Sequence, residues 1–399
     1  MIKLNTAVNY SSKRASTSVV NLDNYISIDN ILQNKAGISS AVKLPPSNND
    51  MGAYDPGHIL VGNIRPYLKK IWFSDRSGGC SADVLNFEVN KGFDPKFVYY
   101  AMLRDDFFIH MMKGSKGSKM PRGDKNQILD FKIPDFDLPK QHKIASVLSV
   151  LDSKIDLNNK INTELEAMAK LIYDYWFVQF DFPNQNGKPY KSSGGKMVWS
   201  EELKREIPEG WEAVNLLEIA DYTNGIACQK YRPMGGKSLP VIKIREMHNG
   251  FSGETELVRE DIPKKVIVED GDILFSWSAS LEVQVWVGGR GGLNQHIFKV
   301  TSRKYPRSFY YFQLLDYVGH FRMMAENRKT TMGHITQDHL KQSRIVLPPQ
   351  LIIEDLDKEL KPMFDSIVLN KKQNIELTDL RDWLLPMLMN GQVNVAEAS

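Results

Sequence analysis

No glycine or proline falls between residues 140 and 182 of this 399-residue chain. Across that stretch Ile144, Leu148, Leu151, Ile155, Asn158, Asn162, Leu165, Ala169, Ile172 and Trp176 alternate in steps of four and three. A seam sustained over that length predicts a long coiled-coil helix. Pro139 fits its first turn, where a missing N–H costs little. A looser seam runs through Leu356, Leu360, Phe364, Ile367, Asn370, Asn374, Leu377, Leu384 and Leu388, and Pro386 is expected to disturb its end. Both seams carry asparagine near the middle, where apolar residues are the rule. A polar residue at such a site costs stability and fixes register. A helix of roughly 38 residues would be about 57 Å long.

The helices close two copies of one pattern, and the order of matching segments is kept throughout. VVNLDNYISIDN (19–30) resembles AVNLLEIADYTN (213–224), and GHILVGNIRPYLKKIWF (57–73) resembles GDILFSWSASLEVQVWV (271–287). LNFEVN (85–90) matches HIFKVT (296–301), and FVYYAMLRDD (97–106) matches SFYYFQLLDY (308–317). LPKQ (138–141) answers LPPQ (347–350), and LNNKINTEL (157–165) answers LNKKQNIEL (369–377). Ahead of each helix lie strand-like runs such as HILVG, KIWF, DILFSW and QVWV, punctuated by Gly, Asn and Asp. The chain therefore reads as α+β. Two mixed globular domains, 1–138 and 181–346, are joined by two long coiled-coil helices, 139–180 and 347–392. A Gly-, Pro- and Ser-bearing stretch at 181–210 is expected as a surface connection, and 393–399 as a tail. The order domain, helix, domain, helix makes the helix pair antiparallel about a pseudo-twofold axis. It sets Asn158 opposite Asn374 and Asn162 opposite Asn370, spaces the domains, and brings the chain ends together.

Composition narrows the class. A prior of roughly 100–200 residues per domain suggests two to four units, and 42% hydrophobic with 25% charged residues is the balance of a globular protein. The net charge of +3 is slight, although a local cluster acts over about a Debye length regardless of the total. Two cysteines, Cys80 and Cys228, suit a reducing compartment and exclude a disulfide framework or a Cys-based zinc site. No apolar run approaches the ~20 residues of a membrane span, and MIKLNTAVNYSSKRAS lacks a signal-peptide core. A cytoplasmic protein without a membrane role is the expectation.

Two loops point to a polyanion. KGSKGSKMPRGDK (113–125) sets Lys113, Lys116, Lys119, Arg122 and Lys125 at every third position, where Gly114, Gly117, Pro121 and Gly123 oppose a helix. In the second copy ENRKTTMGHITQDH (326–339) carries Arg328, Lys329, Thr330, Thr331 and His334. Taken alone, either is an ordinary solvated loop. At equivalent places before each long helix, they suit double-stranded DNA. Lys and Arg release counterions from phosphates, while hydroxyls and glycine N–H groups reach phosphate oxygens. Two such domains could read half-sites centred about one helical turn apart. Candidates for base edges are Arg65, Lys243, Arg245, Asn294, Gln295 and His296, since Arg reads guanine and Asn or Gln reads adenine. Each also has a local explanation, such as Arg245 pairing with Glu246.

Catalytic patterns are missing. There is no P-loop and no Asn/Asp-Pro-Pro-Tyr/Phe methyltransferase motif, and GGRGG (288–292) has no following helix to receive a phosphate. Asp135 with Asp152 and Lys154 mimics a metal-nuclease pattern, but Asp152 and Lys154 fall outside the seam of a long helix. His334 and His339 lack a third ligand nearby. No metal and no enzyme activity are expected.

With these residues in view, the chain resembles the specificity subunit of type I restriction-modification enzymes over nearly its whole length. The resemblance rests on GHILVGNIRPY, on LPKQHKIASVLSVLDSKIDLNNKINTELEAMAKLIYDYWF, and on FDFPN, GKPYKSSGG, IPEGW, PVIKIREM, GDILFSWSASL, LNQHIFKV, LPPQ and LLPMLMNGQ in that order. IPEGW has no match ahead of the first domain. The resemblance implies two target recognition domains, at 1–138 and 181–346, that read a split, asymmetric DNA site. It implies recruitment of two methyltransferase (M) subunits and, through them, restriction (R) subunits. S-adenosylmethionine, ATP and Mg²⁺ would belong to those partners, with no cofactor in this chain. The other readings are an assembly scaffold that has lost DNA recognition and a stand-alone DNA binder. Exposed Tyr173, Trp176 and Phe177 are expected as a partner surface.

Overall fold

The computed structural model describes residues 1–45, 50–117, 119–278, 280–327 and 335–395. It divides into two units, one of residues 1–154 with the chain from Leu377 onward, the other Ile155–Glu376.

In the first unit, β1 (Ile2–Lys3), β2 (Val8–Tyr10), β3 (Arg14–Ser16), β4 (Tyr25–Ile26) and β5 (Asp50–Tyr54) precede β6 (Ile59–Gly62), β7 (Ile71–Phe73), β8 (Gly78–Cys80), β9 (Val84–Val89) and β10 (Lys132–Ile133). One sheet has the order β2-β9-β6-β7 and is antiparallel throughout. The other has the order β3-β5-β8-β4, with β4 parallel to β8. Helices Pro95–Leu103 and Asp105–Lys113 share a core with the first sheet through Phe97, Ala101, Phe107 and Met111. Asp94 starts the former by accepting from Phe97 N–H at 2.8 Å, with Pro95 at a position that needs no N–H.

The second unit repeats this plan. A hairpin, β11 (Met197–Ser200) and β12 (Arg205–Pro208), leads into β13 (Glu212–Val214), β14 (Asp221–Asn224), β15 (Ser238–Ile242), β16 (Leu257–Arg259) and β17 (Ile267–Val268). Then come β18 (Ile273–Ser276), β19 (Glu282–Val285), β20 (Gly291–Leu293), β21 (Ile297–Thr301) and β22 (Ile345–Leu347). Its first sheet, β14-β21-β18-β19, matches β2-β9-β6-β7 strand for strand. Its second, β16-β15-β20-β17, shares three strands with the first unit. β17, β20 and β15 stand where β5, β8 and β4 stand, antiparallel on one side and parallel on the other. Each copy then adds one edge of its own, β3 beyond β5 and β16 beyond β15.

Register corrects one expected match. Ile2 faces Ile133 in the first unit, and Val214 faces Ile345 in the second, so the strand–turn–strand 213–222 corresponds to residues 1–10. Segment 19–30 instead forms a turn and β4. Short aliphatic-polar strings such as VVNL and AVNL match by composition, whereas ladder partners fix position.

The first long helix runs Leu138–Tyr173 and continues as a π-helical turn, Asp174–Val178. The second runs Gln350–Met389. Pro386 does not break it. So near the end, that residue forgoes only its own N–H, and its carbonyl still accepts from Asn390 N–H at 2.9 Å. All ten residues of the first seam are buried or half-buried. At the polar centre Asn158 Nδ2 donates to Asn374 Oδ1 at 2.8 Å, and Asn370 Nδ2 donates to Asn162 Oδ1 at 2.9 Å. Numbers rise on one helix as they fall on the other, so the pair is antiparallel.

Each core is built on the start of one long helix and the end of the other. The first takes Ile144 and Leu148 with Leu385, Leu388 and Met389. The second takes Tyr173, Trp176 and Phe177 with Ile353, Leu356 and Leu360. Tyr173, Trp176 and Phe177 are therefore buried, contrary to the expected partner surface. The Tyr173 ring lies 5.4 Å from that of Phe312, and the Phe177 ring 5.4 and 5.7 Å from those of Trp211 and Phe309, centroid to centroid. The stretch 181–210 is mostly exposed, as expected of a surface connection, but its start is anchored in the core. Phe182 stacks between Tyr190 and Trp211, and Asp181 accepts from the Ser192 N–H and hydroxyl at 2.7 and 2.6 Å. Aromatic burial there outweighs the flexibility of Gly and Ser.

Candidate nucleic-acid interface

The five cations of 113–125 do not share one loop conformation. Lys113 ends a helix, where a cation suits the carbonyl end, and Lys125 begins the helix Lys125–Leu129. Between them Lys116 and Arg122 exchange backbone hydrogen bonds at 3.0 Å, closing a small loop with Lys119 exposed near its tip. Gly117, at φ +94°, makes the turn. Asp124 caps the following helix, accepting from Asn126 and Gln127 N–H at 2.9 and 3.1 Å. Those backbone donors, with Lys116 beside them, hold its carboxyl below the ordinary carboxylate value.

This loop is pinned to the one after β6. Gly123 N–H donates to Asn63 O at 3.3 Å, Arg65 N–H to Pro121 O at 2.8 Å, and Asn63 N–H to Asp83 O at 3.0 Å. Arg65 itself adopts a left-handed conformation (φ +52°), which turns the chain into the short helix Pro66–Leu68. Arg65, Lys116 and Arg122 thus belong to one surface. Arg122 is held by Asp83 at 3.0 Å, whereas no partner of the Arg65 guanidinium is found among the described residues.

The second unit uses the same anchors. Ile335 N–H donates to Trp277 O at 3.1 Å, and Trp277 N–H to His296 O at 3.3 Å, the counterparts of Gly123 to Asn63 and Asn63 to Asp83. Gln295 and His296 gather there, His296 with its ring 5.6 Å from that of Trp277, whose Nε1 donates to Asn224 Oδ1 at 3.1 Å. Arg328, Lys329, Thr330, Thr331 and His334 lie outside the described residues.

Three candidates are engaged within their own unit. Asn294 is buried, its N–H donating to Ile242 O at 3.0 Å. Lys243 pairs with Glu256 at 2.5 Å, and Arg245 with buried Glu246 at 2.8 Å. The bond from Lys243 holds the Glu256 carboxyl down, and that from Glu246 pushes the Arg245 guanidinium up, so both cations are committed internally. The cause is local: Glu246 lies one residue from Arg245 on the same short helix, and β16 supplies the approach to Glu256. Nothing in the sequence marked Asn63, Asp83 or Trp277 as anchors. Their part is played by backbone groups, which leave no residue-type signal.

No group of three or more potential metal-ligating side chains occurs among the described residues. Asp152 of the apparent nuclease pattern is taken up by the Tyr100 hydroxyl at 2.6 Å and Arg381 at 2.9 Å. No helix among those residues is long and apolar enough to cross a membrane.

A twice-built α+β domain, with the same backbone anchors at matching sheet ends and a basic loop on those of the first copy, is the architecture of a duplicated DNA-recognition protein. Residues 13–167 and 208–379 match the type I restriction modification DNA specificity domain, and the chain belongs to that family. It is 26% identical to the type I restriction enzyme MjaIX specificity subunit of Methanocaldococcus jannaschii, over 76% of this chain and 70% of that one. It is 24% identical to the HindI specificity subunit of Haemophilus influenzae, over 92% and 94%. The fold is that of the S subunit crystal structure from M. genitalium, with a TM-score of 0.57 at 14% identity, covering 97% of this chain and 95% of that one. The chain is accordingly a non-catalytic DNA-specificity subunit that works with DNA and other restriction-modification subunits.

Proposed function

We propose that the two units read the two halves of a split, asymmetric DNA site, the first through Arg65 and the 113–125 loop, the second through Gln295, His296 and the 326–339 loop. The observation that carries this is the repeated anchor. Equivalent backbone bonds, Gly123 N–H to Asn63 O and Ile335 N–H to Trp277 O, stand at the same end of equivalent sheets, yet the side chains around them differ, Arg65, Lys116 and Arg122 against Gln295 and His296. Equal framing with unequal side chains is what two different half-sites require.

The same reading gives the chain two methyltransferase subunits as partners, and through them restriction subunits, in the cytoplasm. S-adenosylmethionine, ATP and Mg²⁺ act in those partners, and this chain contributes positioning alone. A second stripe supports docking on the first long helix. Leu157, Ile161, Met168, Leu171, Tyr175 and Val178 recur in steps of three, four and seven, each 36–66% exposed. Each of the first five directly precedes a seam residue, so the stripe lies roughly 100° round the helix from the seam, an exposed flank suited to a partner helix.

Mapping methylated adenines in DNA exposed to this chain with its methyltransferase partner tests the reading. A single split sequence is expected. Replacing Lys116, Lys119 and Arg122 together with Ala should weaken binding to every sequence and lower the salt slope by up to about 3. Assembly with the methyltransferase but no sequence preference would make the chain a scaffold and overturn the proposal.

A further inference from the structure

We propose that the cleft between the two sheets of the first unit is a second grip on DNA, taking backbone phosphates next to the half-site that this unit reads. The inference rests on the DNA-reading role above and adds residues that role did not use.

The cleft lies where two of the chain's four crossings between the sheets run side by side, from β2 to β3 and from β8 to β9, and these leave about 430 Å³ between them. Its walls bring together Ser11, Ser12, Lys13, Arg14, Ser81 and Lys125, and no carboxylate lines it. Arg14 is exposed, and its guanidinium has no hydrogen bond or ion pair among the described residues. Lys13 is shared with Asp55 at 2.7 Å. Lys125 lies over the Tyr10 ring, 5.7 Å from its centroid, and the Tyr10 hydroxyl donates to the Lys125 carbonyl at 2.9 Å. At the floor, burial pushes the Cys80 thiol up to about 11, so it stays neutral and does not repel an anion. Cations flanked by serine hydroxyls are the chemistry of phosphate contact.

The position fits as well. Ser81 leads into Asp83, which holds Arg122, and Lys125 follows Asp124 of the basic loop, so cleft and loop form one continuous surface. The second unit has sealed the same place. Ile226 N–H donates to Leu293 O at 2.9 Å, Ile226 bridges Asn294 in parallel, and a Cβ on Gly225 would stand 2.1 Å from the Asn294 carbonyl oxygen. TNGI (223–226) also lacks the cations of SSKR (11–14). The extra grip is therefore one-sided.

The test uses the chain assembled with its methyltransferase subunits in phosphate-free buffer. Arg14→Ala should lower the salt slope by about 0.9, the value of one phosphate contact, equally on the recognised and on unrelated DNA. Ser81→Asp should weaken binding further. Phosphate-ethylation interference should extend beyond the bases on the first unit's half-site and not on the other. An unchanged slope in both variants, or symmetric interference, overturns the inference. So does a slope change seen only with added inorganic phosphate, which would mark a site for the free ion. Wild-type complex without sequence preference would instead remove the DNA-reading role itself, so the two failures are distinguishable.

Discussion

Just ahead of β6, His58 Nδ1 lies 2.8 Å from Asn86 Oδ1, and both residues are buried. Just ahead of β18, at the same two places in the second unit, the Asp272 carboxylate meets Lys299 at 2.7 Å. Equivalence follows from the ladders, in which Leu60 faces Asn86 and Leu274 faces Lys299. A second slot differs in the same way. The Tyr100 hydroxyl donates to Asp152 in the first unit, while Tyr311 and Phe312 both meet Phe364 edge to face in the second, with centroids 5.0 and 5.8 Å away. Register has been held while partners changed in pairs, because a half-changed pair would leave a polar group unmatched in a closed environment. A duplicated scaffold can thus diverge in what it presents without losing how it is built.

The comparison is most open to breakage at the helix ends. Phe177 and Met389 each end a long helix and are each 1% exposed in their own unit's core. Phe177→Ala should cost about 3–5 kcal/mol and Met389→Ala about 2–5. If each core is closed by its own pair of helix ends, hydrogen exchange should rise in Ile155–Glu376 for the first variant and in residues 1–154 for the second. Equal loosening of both units by either variant would show a single cooperative core and end the parallel.

A smaller effect sharpens it. Asp272→His leaves Lys299 without its carboxylate in a site where the two side chains are only 22% and 16% exposed. Some solvent reaches the pair, so a loss of about 2 kcal/mol is expected, below the range for a fully buried pair. Adding Lys299→Asn recreates the first unit's solution and should restore most of that loss. A double-mutant cycle by urea unfolding reads the coupling. Additive losses would mean that the two slots are not interchangeable.

These features differ in how far they could be read from residues. The helix pair was legible in direction and register, because a heptad seam is a direct imprint of packing and asparagines 158, 162, 370 and 374 mark its centre, but not in its end, where Pro386 stays helical. The duplication was legible in order but not at its start, because residues 1–10 and 213–222 share a ladder and little sequence. The burial of Tyr173, Trp176 and Phe177 was hidden for another reason. The seam marks one face, whereas the core that receives the helix end is assembled from Trp211, Phe309 and Phe312, remote in sequence. Of the candidate site, the 113–125 cluster was legible as charge, and its anchoring was not. The pairing of Lys243 with Glu256 could not be read in advance, because β16 brings the acid from 13 residues away. The SSKR run at 11–14 carried a signal, two hydroxyls beside two cations, that gained meaning only when the sheets set Ser81 and Lys125 across from it.

The smallest expected effect concerns the caps that follow the two loops. In the first unit Asp124 caps the helix Lys125–Leu129, and in the second Thr336 precedes the helix Gln337–Gln342, with its N–H donating to His339 Nδ1 at 3.0 Å. Bonds from Gln127 and Asn126 N–H, with Lys116 nearby, depress the Asp124 pKa in the folded chain. A depressed carboxyl contributes order that is fully present above the unfolded value of about 3.9 and is lost as pH falls through the lower folded value. Acidification below pH ~4 should therefore speed amide exchange in 113–130, while 336–342, capped without a carboxylate, stays unchanged through this route. Asp124→Asn keeps a capping oxygen but has no proton to take up in that range, so it should erase the difference between the two segments. If the asparagine variant still loosens on acidification, the cap is not the titrating element, and the contrast between the two loops must come from the ion pairs of Lys116 and Arg122 instead.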